Sequence, residues 1–368
     1  MNKHAEKGLT GPTGATDSPG SILSPPALSR QVTGTALSAV LSVTLSVALS
    51  AALLSLVGCE GSSFDFGGGV GGSGLVWGPM GDEPSCDDLL VDQVCFDSST
   101  AVVTVNGEPA TIDDLEPGMV LAVEGELNNA GDAGTAAVVD YNSLLTGTIE
   151  FVGLDTLQVL GDTLLLDKES RLVGFALSEG KGLDVEVSGL VDAGGMIRVT
   201  RIARRPGVST ELTTAGTLRL LDVGAQTFRV RGLEIDYSSA IVSGAGGSPA
   251  NGLLVRVTLA GAPSSGSAVA TSIRLVEPLR DRLANQSVVL RGLVTSLQPD
   301  LKRLVLDRAH SVSIGKNTEF VGSRADELAV DQRLRVKGRI TDSKAILALV
   351  VEKLPDALPY EISPAPLP

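Results

Sequence analysis

The chain has 368 residues, a formal net charge of −14 and an aromatic content of 3%. The length fits two or three domains, and an acid excess of this size repels phosphate backbones, so nucleic acid is excluded as an expected partner. Three cysteines and two histidines leave little material for a metal cluster or a nucleophile–base pair. Abundant Gly, Val, Leu, Ala and Thr suit many short strands and turns.

The first feature along the chain is a run without charge from Gln31 to Gly58, preceded by Arg30. A positive flank, an apolar stretch and a small residue before a cut form the layout of a secretory signal. The run ends in Leu56-Val57-Gly58-Cys59. These four residues resemble the lipobox of bacterial lipoproteins. The resemblance implies a diacylglycerol on the Cys59 thiol, cleavage before Cys59 and acylation of the new amino terminus. Residues 1–58 are then a signal peptide with an N-terminal extension, and the mature chain meets the membrane through its lipid. The expected place is the cell envelope, on the periplasmic face of the outer membrane or at the cell surface; Glu60, rather than Asp, after the cysteine leans that way by the same resemblance. The alternative is a retained anchor. The run is long enough to span a bilayer, and Ser38, Ser42, Ser46 and Ser50 form a small-residue stripe suited to helix packing.

Residues 59–85 read as a Gly-rich flexible linker, with isolated Phe64, Phe66 and Trp77. Cys86 and Cys95 follow in CDDLLVDQVC. In an oxidising compartment such a pair is expected to form a disulfide, contributing about 2–3 kcal/mol in the chain-entropy model.

The body carries a repeat. One marker recurs as GMVLAVEG ending at Gly125, GLDVEVSG ending at Gly189, GLLVRVTLAG ending at Gly261 and DQRLRVKG ending at Gly338. A second opens the later units at Gly147, Gly216 and Gly292. Repetition on this scale governs the fold. Apolar and polar residues alternate strictly in the closing marker, as in a half-buried strand. The third unit reads as having two extra residues before Gly261, an insertion that keeps the inward face inward. Five strand-like runs in about 65 residues suggest a small closed or partly closed barrel, OB-like in strand count; a pair of small sheets per unit is the alternative. The expected fold is therefore all-β, with tandem small OB-like β-barrel repeats after the cleaved signal and linker. The units are 86–143 (acidic, with the cystine loop), 144–208, 212–278 and 287–354 (basic), followed by a Pro-rich tail at 355–368.

The stretch VTVNGEPATIDDLEPGMVLAVEGEL, from Val103 to Leu127, resembles the bacterial family called domain of unknown function 5666. Its members are often exported or lipid-anchored and often occur in tandem. The resemblance is clearest in the first unit and implies no catalytic residues.

Charge changes along the chain. Residues 59–142 hold 16 Asp and Glu and no Lys or Arg; residues 143–286 hold 15 acids and 14 bases; residues 287–354 hold 8 acids and 12 bases. Three readings follow. The acids solvate the surface; or Asp82, Glu83, Asp87, Asp88 and Asp92 bind a divalent cation, although no D-x-D-x-D-G loop is present; or Arg333, Arg335, Lys337 and Arg339 project from one strand face toward an anionic glycan, an acidic partner or the first unit of another copy.

No motif for hydrolysis or phosphate binding appears. His310 stands alone in DRAHSVSIG and reads as structural or exposed, and Phe151, Tyr237 and Phe228 read as core rather than as sugar platforms. No cofactor is expected. The sequence points to a non-catalytic binding or structural module, with an envelope protein or glycan as partner. The alternatives are a divalent-cation- or glycan-binding protein, or a carboxylate-dependent hydrolase.

Overall fold

The computed structural model describes residues 72–207, 211–244, 246–276 and 285–360. The lipobox residues Leu56, Val57, Gly58 and Cys59, and the linker residues Phe64 and Phe66, lie outside the described residues. Among the described residues no helix is long and apolar enough to cross a membrane.

The first repeat contains β1 (Gly72–Pro79), β2 (Leu89–Val91), β3 (Val94–Asp97), β4 (Val102–Val105), β5 (Glu108–Ala110), β6 (Val120–Leu127) and β7 (Ala133–Tyr141). The second contains β8 (Leu145–Val152), β9 (Thr156–Val159), β10 (Asp162–Leu165), β11 (Arg171–Val173), β12 (Asp184–Val191) and β13 (Ile197–Arg204). The third contains β14 (Leu212–Asp222), β15 (Thr227–Val230), β16 (Leu233–Asp236), β17 (Ile241–Gly244), β18 (Leu254–Leu259) and β19 (Ser267–Val276). The fourth contains β20 (Ser287–Leu297), β21 (Arg303–Leu306), β22 (His310–Val321), β23 (Arg333–Ile340) and β24 (Ile346–Lys353).

Local sequence explains the strands. Along β18, Val255, Val257 and Leu259 are buried while Leu254, Arg256 and Thr258 are half-buried, which is the two-residue period of a strand with one face in the core. The hairpin of β15 and β16 buries Phe228, Val230, Leu233 and Ile235 in the same way.

The all-β expectation holds, but the tandem of small OB-like β-barrels is overturned. Hydrogen bonding does not stop at the repeat boundaries. β1 pairs with β20 in parallel, and β8 pairs with β14 antiparallel. The strands therefore form two continuous twelve-stranded sheets, a β-solenoid arrangement in place of separate modules. Within the second repeat the ladder returns to its first strand, as β8–β9–β10–β13–β12–β8, and β8 continues the ladder into the third repeat through β14. The fusion also departs from chain order. The second and third repeats share one sheet, and the first and fourth share the other. A unit of this size buries too little surface alone, and sharing a sheet removes the exposed edges that would otherwise template aggregation.

Two further readings change. Residues 72–79, expected in the flexible linker, form β1, which pairs along its length with β6 and then with β20. Leu75 and Val76 are buried, so this is the opening strand of the first repeat rather than a tether. Residues 355–360, the described part of the tail, touch the body: Lys168 donates its backbone N–H to the Leu358 carbonyl, and Tyr360 packs against the core of the second and third repeats.

The marker glycines have physical causes. Gly125, Gly189 and Gly338 sit at β-bulges, where a Cβ would run into the carbonyl oxygens of Thr135, Arg198 and Leu347. In the third repeat the bulge falls between Thr258 and Leu259, and Gly261 has open space around it. There is thus no two-residue insertion: Leu259 stands opposite the bulge where glycine stands in the other repeats. The opening glycines lie under the hairpin turn of their own repeat. A Cβ on Gly147, Gly216 or Gly292 would come 2.9 Å from Leu160, 2.9 Å from Val230 or 2.5 Å from Asp307. Gly78, 2.7 Å from Asp92 by the same measure, is the first repeat's counterpart.

Candidate functional site

All four repeats contribute to one cleft of about 150 Å³. Its walls are mainly apolar: Trp77 and Val120 from the first repeat, Leu144 and Leu190 from the second, Leu254 and Val255 from the third and Ala309 from the fourth. Val120, Leu190 and Leu293, with Trp77 against them, form a small hydrophobic cluster of their own beside it. The walls are fixed by bonds between repeats. Val120 donates its N–H to the Ser188 hydroxyl at 2.9 Å, and Ala193 donates to Asp331 at 2.9 Å. The Thr146 and Thr213 hydroxyls are 2.8 Å apart across the second and third repeats.

Four arginines line the cleft: Arg219, Arg231, Arg256 and Arg308. Arg231 is committed, since it pairs with Asp162 at 2.7 Å and also donates to the Ala215 carbonyl and the Thr214 hydroxyl. The other three form no ion pair among the described residues. Arg219 donates to the Arg308 carbonyl at 2.6 Å, and Arg308 to the Ala193 carbonyl at 3.0 Å. Arg256 donates only to Ser143, at 3.2 Å to its carbonyl and 3.1 Å to its hydroxyl. Burial lowers its pKa below the usual arginine range; Glu186 and Glu211 act against that, while Arg274 adds to it. Glu186 acts on Arg256 through space and accepts hydrogen bonds from Tyr141 at 2.9 Å and from Asn106 at 3.1 Å.

Asp307 occupies the turn after β21 with φ 49°. One carboxyl oxygen accepts the Leu293 N–H at 2.9 Å, and the other is enclosed without a partner. Burial pushes its pKa from 3.8 to about 8, so the carboxyl is protonated at neutral pH, although the residue as a whole keeps some exposed surface. Trp77 and His310 face each other in the same cleft, ring centres 5.3 Å apart and tilted by 59°.

The expected site residues are distributed differently. Cys86 and Cys95 are joined by a disulfide. The acidic set does not converge. Asp82 pairs with Arg171 at 2.8 Å, Asp88 accepts from the Ser98 N–H and hydroxyl at 2.6 Å each, Asp92 turns inward, and Glu83 and Asp87 are exposed. Among the described residues no group of three or more His, Cys, Asp or Glu is placed to hold a metal. This corrects the cation reading.

The basic face of β23 is also corrected. Arg333 and Arg335 are buried, not projected to a partner. Arg333 pairs with Asp167 and, at 2.8 Å, with Glu169. Arg335 grips Asp92 with two bonds of 3.0 Å and Glu352 at 2.8 Å. Lys337 donates to the Ala130 carbonyl at 3.1 Å, and Arg339 is exposed. The charge gradient is therefore used internally, the basic fourth repeat meeting acids of the first and second in the same chain. Of the aromatics read as core, Phe228 and Tyr237 are buried with ring centres 5.5 Å apart, but Phe151 is 51% exposed.

Sequence reasoning missed the cleft. Arg256 sits on the outward parity of β18, where a charged residue is ordinary, and nothing local says that this face meets three other repeats. The single tryptophan was the available signal, and it fell in a stretch read as linker.

The fold and cleft define an all-β tandem-repeat protein with one apolar junction cleft and a conspicuous arginine content. The family model described as Domain of unknown function (DUF5666) matches residues 146–203 and 291–352. The two matches fall on the second and fourth repeats rather than on the first, where the resemblance reads clearest, and they support tandem domains similar to this family. No curated protein matches the chain.

Proposed function

We propose that this chain is a non-catalytic binding module of the cell envelope, tethered by lipid on Cys59, whose small ligand enters the cleft at the junction of the four repeats. The observation that carries this is the cleft itself: a mostly apolar concavity with a few convergent polar groups is the common form of a small-molecule site, and here every repeat contributes to it. Its size suits a ligand about as large as benzene, which a cavity of about 150 Å³ can hold. The cleft-lining residues include no Ser, Cys or Lys, which supports binding over covalent chemistry. Internal pairing of Arg333 and Arg335 weighs against a glycan or acidic protein docking on that face.

Two measurements test the two halves. Mass spectrometry of the mature amino terminus in membrane fractions should find Cys59 lipidated and residues 1–58 absent; an unmodified Cys59 with the apolar run retained refutes the tether. Trp77 is the only tryptophan, so its emission reports on the cleft directly. Titration with benzyl alcohol should change that emission and saturate. If neither benzyl alcohol nor any charged analogue of its size perturbs Trp77 or is retained in equilibrium dialysis, the cleft is not a binding site.

A further inference from the structure

We infer that the cleft selects an apolar monoanion, a small carboxylate with an apolar body, and that Arg256 holds its charged end. This rests on the reading of the cleft as a ligand site and deepens it. The first ground is the state of Arg256. A half-buried guanidinium without a hydrogen-bonded carboxylate is costly, and among the described residues Arg256 donates to the carbonyl and hydroxyl of Ser143, while Glu186 and Glu211 act on it through space alone. Arg219, which is exposed, and Arg308, which is half-buried, also donate to backbone carbonyls. Three guanidiniums without an ion pair stand around one apolar space, while Arg171, Arg291, Arg333 and Arg335 elsewhere in the molecule are each matched to an acid.

The carboxylates that line the cleft do not compensate. Asp140 is a single carboxylate against Arg219, Arg256 and Arg308, and burial raises the Asp307 pKa to about 8. The polar balance of the cleft is thus cationic, and a ligand carboxylate would neutralise it through charge-assisted hydrogen bonds, which are about twice as strong as neutral ones. The second ground is the rest of the lining. Leu144, Leu190, Leu254 and Val255 offer no hydrogen-bond partner, so they accept an apolar body and disfavour a sugar. A single carboxylate on a ring or short chain fits both halves.

The experiment compares benzoate with benzyl alcohol, followed by Trp77 emission with excitation beyond the absorption of both probes, on the wild-type chain and on Arg256→Gln and Arg256→Lys. Benzoate is expected to bind about tenfold or more tightly than benzyl alcohol, as one charge-assisted bond implies. Arg256→Gln should remove that preference, with its circular dichroism spectrum and urea unfolding curve showing that the variant is folded. Arg256→Lys should keep part of the preference, because the charge remains without the planar fork. Equal affinity of the two probes for the wild type, or a benzoate preference that survives Arg256→Gln, overturns the anion assignment while the binding reading stands. Binding of neither probe overturns both.

Discussion

Replacing Asp307 with Asn removes a buried titration while keeping the shape of the side chain and an acceptor for the Leu293 N–H. In the folded protein the Asp307 carboxyl has a pKa of about 8, raised by burial from 3.8, with the bond from Leu293 acting the other way. Between these values the folded state holds a proton that the unfolded state releases. Stability therefore falls as pH rises through this window. It is fully present below 3.8, declines up to about 8 and changes no further above that. The slope for one proton is about 1.4 kcal/mol per pH unit, so the wild type should lose about 3 kcal/mol between pH 5 and pH 7 that the variant does not. Urea unfolding followed by circular dichroism at pH 5, 6 and 7 measures this directly. The chain's other acids titrate in both proteins and cancel in the comparison. Parallel stability curves for the two would refute the enclosed, protonated carboxyl.

Three further outcomes follow from the packing. Arg335→Ala leaves Asp92 buried without its bidentate partner and should cost about 3–5 kcal/mol in urea unfolding, whereas Arg335→Met with Asp92→Leu should recover most of it. Gly189→Ala places a Cβ against the Arg198 carbonyl and should destabilise by about 1–3 kcal/mol, as overpacking does; Gly261→Ala, in open space, should change the melting temperature little. Reduction of the Cys86–Cys95 bridge should lower the unfolding free energy by about 2–3 kcal/mol, read from unfolding curves with and without reductant. A Cys86→Ser, Cys95→Ser variant should match the reduced protein.

Sequence alone determined the local terms of this structure. Strand alternation was readable because a half-buried strand repeats every two residues, and Val185 and Val187 or Leu334 and Val336 declare their inward face without help from the rest of the chain. The repeat was readable because the strand position opposite each bulge leaves no room for a Cβ, so Gly125, Gly189 and Gly338 mark equivalent points. The disulfide partners were readable from their short spacing in sequence. Where the local rule is broken the sequence misleads: Leu259 stands opposite the bulge where glycine stands elsewhere, and the next glycine, Gly261, lies two residues beyond the equivalent point.

Only the tertiary structure decided how the coils join and where the cleft lies. Strand edges carry unpaired N–H and C=O groups of the same kind in every repeat, so no residue type announces that β1 pairs with β20 or β8 with β14. That choice brings Trp77, Leu190, Arg256 and Asp307 around one space although they are far apart in the chain. It also turns Arg333 and Arg335 inward, because the strand parity that reads as solvent-facing in one repeat becomes the interface once another repeat covers it.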